Sequence, residues 1–254
     1  MNANPNAALD KYPLGSLLPA LRTFKPPAGA FDPAGSWEQT WRVCTLAGRA
    51  AAVRPVGRLT LRRQVAGRQA QLDVLYVRNV TGGRQEVTGS LAYPAADPLA
   101  RPTRWSFRTR LFNTRNQPIP GTDIARRAAF ADGRITVADD TETRTIDPAG
   151  PYTVNWCLFD AVQRLPGREA QPLAFTLIDH FDQVKPETTL AFRQATDVQV
   201  AGGKTIATRV YEQLGRGNVP WVYWTDTSGR LLWVVAGLEG YIREAAAPRT
   251  ANSA

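Results

Sequence analysis

Arg104-Trp-Ser-Phe-Arg-Thr-Arg-Leu-Phe112 is the most regular stretch of the chain. Trp105, Phe107, Thr109 and Leu111 fall on one side of it, and Arg104, Ser106, Arg108 and Arg110 on the other. A repeat of two residues places alternate side chains on opposite faces of a strand, so this segment reads as a strand between a core and water.

The same alternation spreads outward from it. In Trp37 to Cys44, Trp37, Gln39, Trp41 and Val43 oppose Glu38, Thr40 and Arg42. Arg58 to Val65, Leu72 to Val80 and Gln85 to Tyr93 follow, separated by Gly67-Arg68 and Gly82-Gly83. Short strands divided by such turn residues predict a meander of hairpins. Ile124 to Ile146 holds two more strands about Asp132-Gly133, and Asp226-Thr-Ser-Gly229 turns between strands at Trp221 to Trp224 and Leu231 to Val235. Further strands are expected at Leu173 to Ile178, Thr188 to Arg193 and Thr205 to Gln213.

The period changes once. After Pro151, Val154, Leu158, Val162 and Leu165 recur at helical spacing and stop at Pro166-Gly167, with Trp156 and Phe159 widening the apolar stripe. That pattern predicts one helix placed to plug or cover a sheet face. The expected fold class is therefore mainly β, a strongly curved antiparallel sheet or open barrel of about eleven strands with one helix packed on it. Strands do not alternate with helices, which excludes a parallel α/β fold. The reading divides the chain into an irregular proline-rich N-terminal arm (1–35), a single antiparallel β domain (36–244) and a flexible tail (245–254). Leu17, Leu18, Leu21 and Phe24 make the arm apolar enough to lie across the body or against a protein partner.

At 254 residues the chain can bury about three quarters of its unfolded surface, so it needs neither metal nor disulfide to fold. The net charge of +9 is nearly all arginine, and the arginines alternate along strands with no run longer than a pair. A nucleic-acid binder concentrates its charge on one helix or stripe, so no nucleic-acid partner is expected, whereas an acidic polymer fits a basic surface. Cys44 and Cys157 have no metal-ligand spacing; they read equally as one disulfide or as two buried thiols. No apolar run approaches the ~20 residues of a membrane span, and the first residues lack a signal-peptide pattern. A location in the periplasm or envelope would require a removed leader; otherwise the protein is expected in the cytoplasm.

No nucleophile elbow, dinucleotide fingerprint or phosphate loop occurs, and neither cofactor nor metal is expected. His180, in Ile178-Asp-His-Phe-Asp182, is the only histidine. On an extended chain it converges with Asp182 and points away from Asp179. Its simplest reading is a locally bonded histidine at a strand end. The aromatic residues carry more. Trp105, Phe107, Trp221, Tyr223 and Trp233 are expected to line the concave face, either filling the core or walling a pocket for an apolar or sugar-like ligand.

The close of the chain carries Arg209-Val-Tyr-Glu, then Val219-Pro-Trp-Val-Tyr-Trp-Thr-Asp226, then Gly229-Arg-Leu-Leu232. Its hairpin of Trp224, Asp226, Gly229, Arg230, Leu231 and Leu232 resembles domains of the DUF3108 kind, related in shape to the LolA/LppX lipoprotein-carrier superfamily. The resemblance covers the last third of the chain and implies a bacterial cell-envelope protein with a hydrophobic cavity, and it brings no catalytic residues. The leading functional expectation is a non-enzymatic carrier or binding domain for a lipid-like small molecule. The alternatives are an enzyme on an acidic polysaccharide, with Tyr211 or Tyr223 as acid or base, and an assembly subunit that docks through residues 1–35.

Overall fold

A computed structural model describes residues 17–46, 53–179 and 183–245. A short helix, α1 (Leu18–Leu21), precedes β1 (Trp37–Thr45), which buries Trp37, Gln39, Trp41 and Val43 on alternate positions. β2 (Arg54–Ala66), β3 (Gln69–Val80), β4 (Gly83–Pro94) and β5 (Arg104–Asn113) follow as antiparallel neighbours. In β5 Trp105 and Phe107 are buried while Arg104, Ser106 and Arg108 are exposed, the faces that the alternation predicts. β6 (Ile124–Ala131) and β7 (Arg134–Ala138) meet at Asp132-Gly133, both with positive φ, and β8 (Thr143–Ile146) ends this half.

The second half begins with β9 (Tyr152–Val154), α2 (Cys157–Arg164) and β10 (Leu173–Asp179). It runs on through β11 (Gln183–Gln199), β12 (Thr205–Leu214), β13 (Trp221–Asp226), β14 (Leu231–Ala236) and β15 (Glu239–Arg243). All fifteen strands form one sheet in the order β8-β7-β6-β5-β4-β3-β2-β1-β15-β14-β13-β12-β11-β10-β9. Every sequential pair is adjacent except β8 and β9, and β1 pairs with β15. The topology is thus a ring of hairpins left open between β8 and β9. The two ends of the sheet nevertheless approach each other. The Tyr152 hydroxyl donates to the Pro102 carbonyl at 2.5 Å, and its ring lies 4.9 Å from Phe130.

The count of fifteen exceeds the expected number of about eleven chiefly because β8, β9 and β15 are three to five residues long, too short to display a period. The helix also begins later than Pro151 predicts. Tyr152, Thr153 and Val154 are aromatic and β-branched, and they pair in parallel with Thr176, Leu177 and Ile178 of β10. A helical crossover is what lets two successive strands run the same way, so α2 and this one parallel pair arise together. Val154 and Leu165 had fitted the helical spacing, yet they lie outside the helix. Within α2 every residue from Cys157 to Gln163 is buried, so the helix sits inside the curve of the sheet.

Two apolar clusters lie on opposite faces. The inner one joins Trp41, Leu61, Tyr93, Trp105, Phe107, Phe159, Tyr223 and Tyr241 around α2. The outer one joins Val222, Trp224, Trp233, Val235 and Ile242 with Leu17, Leu21 and Phe24. The arm from residue 17 onward therefore covers the outer face of its own domain and does not extend from it. Residues 1–16 lie outside the description. Cys44 belongs to the outer cluster and Cys157 to the inner, and both are free buried thiols on opposite sides of the sheet. No helix among the described residues is long and apolar enough to cross a membrane.

Candidate functional site

The closing hairpin shows first what its sequence motif does. Asp226 Oδ1 accepts from the backbone N–H of Ser228 at 2.9 Å and of Arg230 at 3.0 Å, which fixes the turn. Gly229 has φ +89°, and a Cβ there would lie 2.3 Å from the Gln163 carbonyl at the end of α2. Only glycine tolerates both demands. Arg230, 5% exposed, donates to the Pro27 and Gly29 carbonyls at 3.0 and 2.8 Å and lies over the Phe31 ring. The motif thus ties arm, helix and hairpin together. Its residues are structural.

The five aromatic residues divide between the faces. Trp105 and Phe107 are 5% and 4% exposed in the inner core, with the Phe107 ring over Gly89, where a Cβ would meet it at 2.2 Å. Tyr223 is buried beside Phe159, their ring centroids 6.0 Å apart. Trp233 is on the outer face against Phe24, centroids 5.0 Å apart, and does not join the others. The cause is a β-bulge: Trp224 pairs with Trp233 but Thr225 pairs with Leu231, so Leu232 is an extra residue. One inserted residue turns the following side chains to the opposite face. Trp221 alone of the five is half-buried, and it lines a cavity that the buried Phe107 and Tyr223 also reach.

That cavity is a cleft with β10, β13 and β15 on one side and β3, β4 and β5 on the other. One lobe, about 420 Å³, is lined by Tyr76, Arg78, Phe107, Thr109, Trp156 and Tyr241. The other, about 270 Å³, is lined by Leu177, Lys185, Gln213, Asn218 and Tyr223. Asn155, Asp179, Trp221 and Glu239 line both. Small-molecule sites fall mostly between ~300 and ~1,000 Å³, a range the larger lobe already reaches alone.

Trp221 lies between the two lobes of the cleft and lines both. Its ring lies near-parallel to Tyr241 at 5.9 Å and to Tyr223 at 6.2 Å, and both tyrosines are buried. The charged walls are paired. Asp179 meets Lys185, and Glu239 accepts from Arg78 at 2.8 Å and from the Tyr241 hydroxyl at 3.1 Å. Burial, with the Glu239 carboxylate nearby, pushes the Tyr76 phenol up to about 12. Three neutral polar atoms in the lining are buried with no hydrogen-bond partner: Asn155 Oδ1, Thr109 Oγ1 and Asn218 Nδ2. Each such atom costs roughly 1–3 kcal/mol where it remains unsatisfied.

Of the remaining sequence candidates, Tyr223 lines the smaller lobe and Tyr211 lines neither. Burial raises the phenols of Tyr211 and Tyr223 above their ordinary value, that of Tyr223 well above it. The Tyr211 hydroxyl donates to the Leu165 carbonyl at 3.2 Å, and that of Tyr223 to Gln213 Oε1 at 2.7 Å. Neither phenol offers a proton to a substrate in the way the polysaccharide-enzyme reading needs. His180 and Asp182 lie outside the described residues. Among those described, no group of three or more His, Cys, Asp and Glu is placed to hold a metal. Sequence reasoning passed over Asn155, Glu239 and Tyr241. Glu239 and Tyr241 lie in Glu239-Gly-Tyr-Ile-Arg243, a segment too short for alternation to mark.

No protein-family model matches the chain, and no curated protein matches it. Among solved structures it is similar to a β-barrel-like protein of Domain of Unknown Function DUF1849 from Brucella abortus. The TM-score is 0.55 at 12% identity, covering 83% of this chain and 96% of that one. The likeness is one of fold. A DUF1089 family protein from Pseudomonas aeruginosa matches at a TM-score of 0.38 and 14% identity, over 85% of this chain and 97% of that one.

Proposed function

We propose that the chain is a non-enzymatic binding domain that holds a small ligand, by a flat apolar face, against Trp221 in the cleft. The observation that carries this reading is the position of Trp221. It is the half-buried member of a ring stack whose other members are buried, and it forms a wall of both lobes. The concave face farther in is occupied by α2 and the rings around Phe159, so a ligand is held at the mouth and not along the sheet. The reading is compatible with the lipoprotein-carrier resemblance of the closing hairpin, which we keep as a proposal, with a lipid-like tail as one form of apolar face.

Tryptophan fluorescence of the full chain, titrated with an apolar probe such as laurate at low and high salt, tests it. Contact by burial is expected to depend weakly on salt. An acidic polymer held by the exposed Arg104 and Arg127 of the outer face would instead weaken steeply as salt rises. Trp221→Ala is expected to weaken cleft binding by at least about thirtyfold, as loss of a central aromatic anchor does. A titration that Trp221→Ala leaves unchanged would overturn the assignment.

A further inference from the structure

The polar groups of the cleft narrow the chemistry of its ligand, on the reading that the cleft is the binding site. Its charges are internally matched, with Asp179 on Lys185 and Glu239 on Arg78. A cationic or anionic ligand would have to compete with an existing ion pair for its counter-charge. The groups that lack a partner are neutral. Asn155, only 7% exposed, presents an acceptor whose hydrogen-bonding capacity is unmet. Thr109 adds a hydroxyl from β5, and Asn218 an amide donor from the loop before β13. Thr109 lies in the larger lobe, Asn218 in the smaller and Asn155 in both, so a ligand that spans the lobes meets them at separate points. Trp221 supplies a flat surface between them.

A neutral ring with apolar C–H faces and hydroxyls around its edge satisfies all three features at once. We propose that the cleft takes a neutral sugar or cyclic polyol, its face on Trp221 and its hydroxyls on Asn155, Thr109 and Asn218. A fatty acid would cover Trp221 but leave the three orphaned atoms unsatisfied. An amine or a uronate would contact the ring yet compete with an existing pair. The choice follows from buried polar atoms seeking partners, which discriminate more sharply between ligands than apolar contact does.

The test is calorimetry and tryptophan fluorescence of the full chain, with Trp221→Ala as the reference, using glucose, N-acetylglucosamine, cellobiose and chitobiose, beside glucosamine, glucuronate, uridine and laurate. A neutral sugar is expected to bind saturably, with its charged counterpart at least about tenfold weaker. Thr109→Val keeps the shape and removes the hydroxyl, and Asn155→Ala removes the amide; each is expected to weaken the sugar about tenfold or more. Circular dichroism checks their folds, and Thr109→Val carries the test if Asn155→Ala unfolds. Laurate or uridine binding through Trp221, with no sugar binding, would overturn the polyol assignment and leave the cleft as the site. A tighter glucosamine or glucuronate would overturn the neutral-ligand argument. If no probe binds in a Trp221-dependent way, the binding reading and this inference fall together.

Discussion

Asp160 and Gly89 each show one residue settling the packing of many. Asp160, on α2, has a fully buried side chain and meets Arg63 at 3.0 Å, Arg164 at 2.8 Å and the Tyr93 hydroxyl at 3.0 Å. Arg63, equally buried, also donates to the carbonyls of Ala34, of Gly35 at 2.6 Å and of Ala95 at 3.0 Å. Replacing the carboxylate leaves Arg63 without its counter-charge in the interior. Asp160→Asn is therefore expected to lower stability by about 3–5 kcal/mol in urea melts, and a loss under about 1 would mean that the carbonyls suffice. Gly89 lacks a side chain because the Phe107 ring occupies its place. Gly89→Ala is expected to cost about 1–3 kcal/mol, and Phe107→Leu in the same chain to return part of it. A strictly additive double-mutant cycle would show that the two do not touch.

Among elements, the arm and β14 depart most from what periodicity implies. Leu17, Leu21 and Phe24 cover Trp233 because the bulge at Leu232 moved that tryptophan outward, so arm and bulge require each other. Without the arm, the outer face of β13 and β14 would expose Val222, Trp224, Trp233 and Val235. Phe24→Ala is expected to cost about 3–5 kcal/mol and to red-shift tryptophan emission as Trp233 meets water. Unchanged emission with the fold retained would mean that other arm residues cover the ring. The helix element repeats the lesson, for Tyr152–Val154 carry helical spacing and strand chemistry together, and pairing with β10 decided between them.

At the scale of the molecule, all six tyrosines among the described residues have raised phenols, chiefly by burial, and Tyr76 reaches about 12. An unfolded tyrosine loses its proton near pH ~10. The folded state therefore holds more protons above that pH, so these groups contribute stability that is present below about pH 10 and lost as pH rises through the folded values. Arg243, held down to about 10 mainly by burial, acts in the opposite sense as one group against six. Tyrosinate absorbance is expected to appear cooperatively, together with loss of the circular-dichroism signal. A gradual rise near pH ~10 in an intact fold would show that the phenols are solvent-accessible.

What the sequence determined is the class of the fold. Alternation in Arg104–Phe112 and its counterparts, Asp132-Gly133, Asp226–Gly229 and the apolar run at Leu158 and Val162 predict a mainly β chain built of hairpins about a helix, because a period of two and a turn are local properties. The short strands β8, β9 and β15 were not legible, since three to five residues form a strand only when a neighbour is there to bond them. The side that Trp233 faces was decided by one extra residue in β14, which no alternation count detects. Trp221 was legible as an aromatic of interest, but not as the one left open. The cleft joins Tyr76, Asn155, Asp179, Trp221 and Glu239 from five separate strands and loops, and only the pairing of β1 with β15, which joins the two halves of the open sheet, brings them together. Local chemistry specifies each strand, and the long-range pairing of their edges decides which side chains share a site.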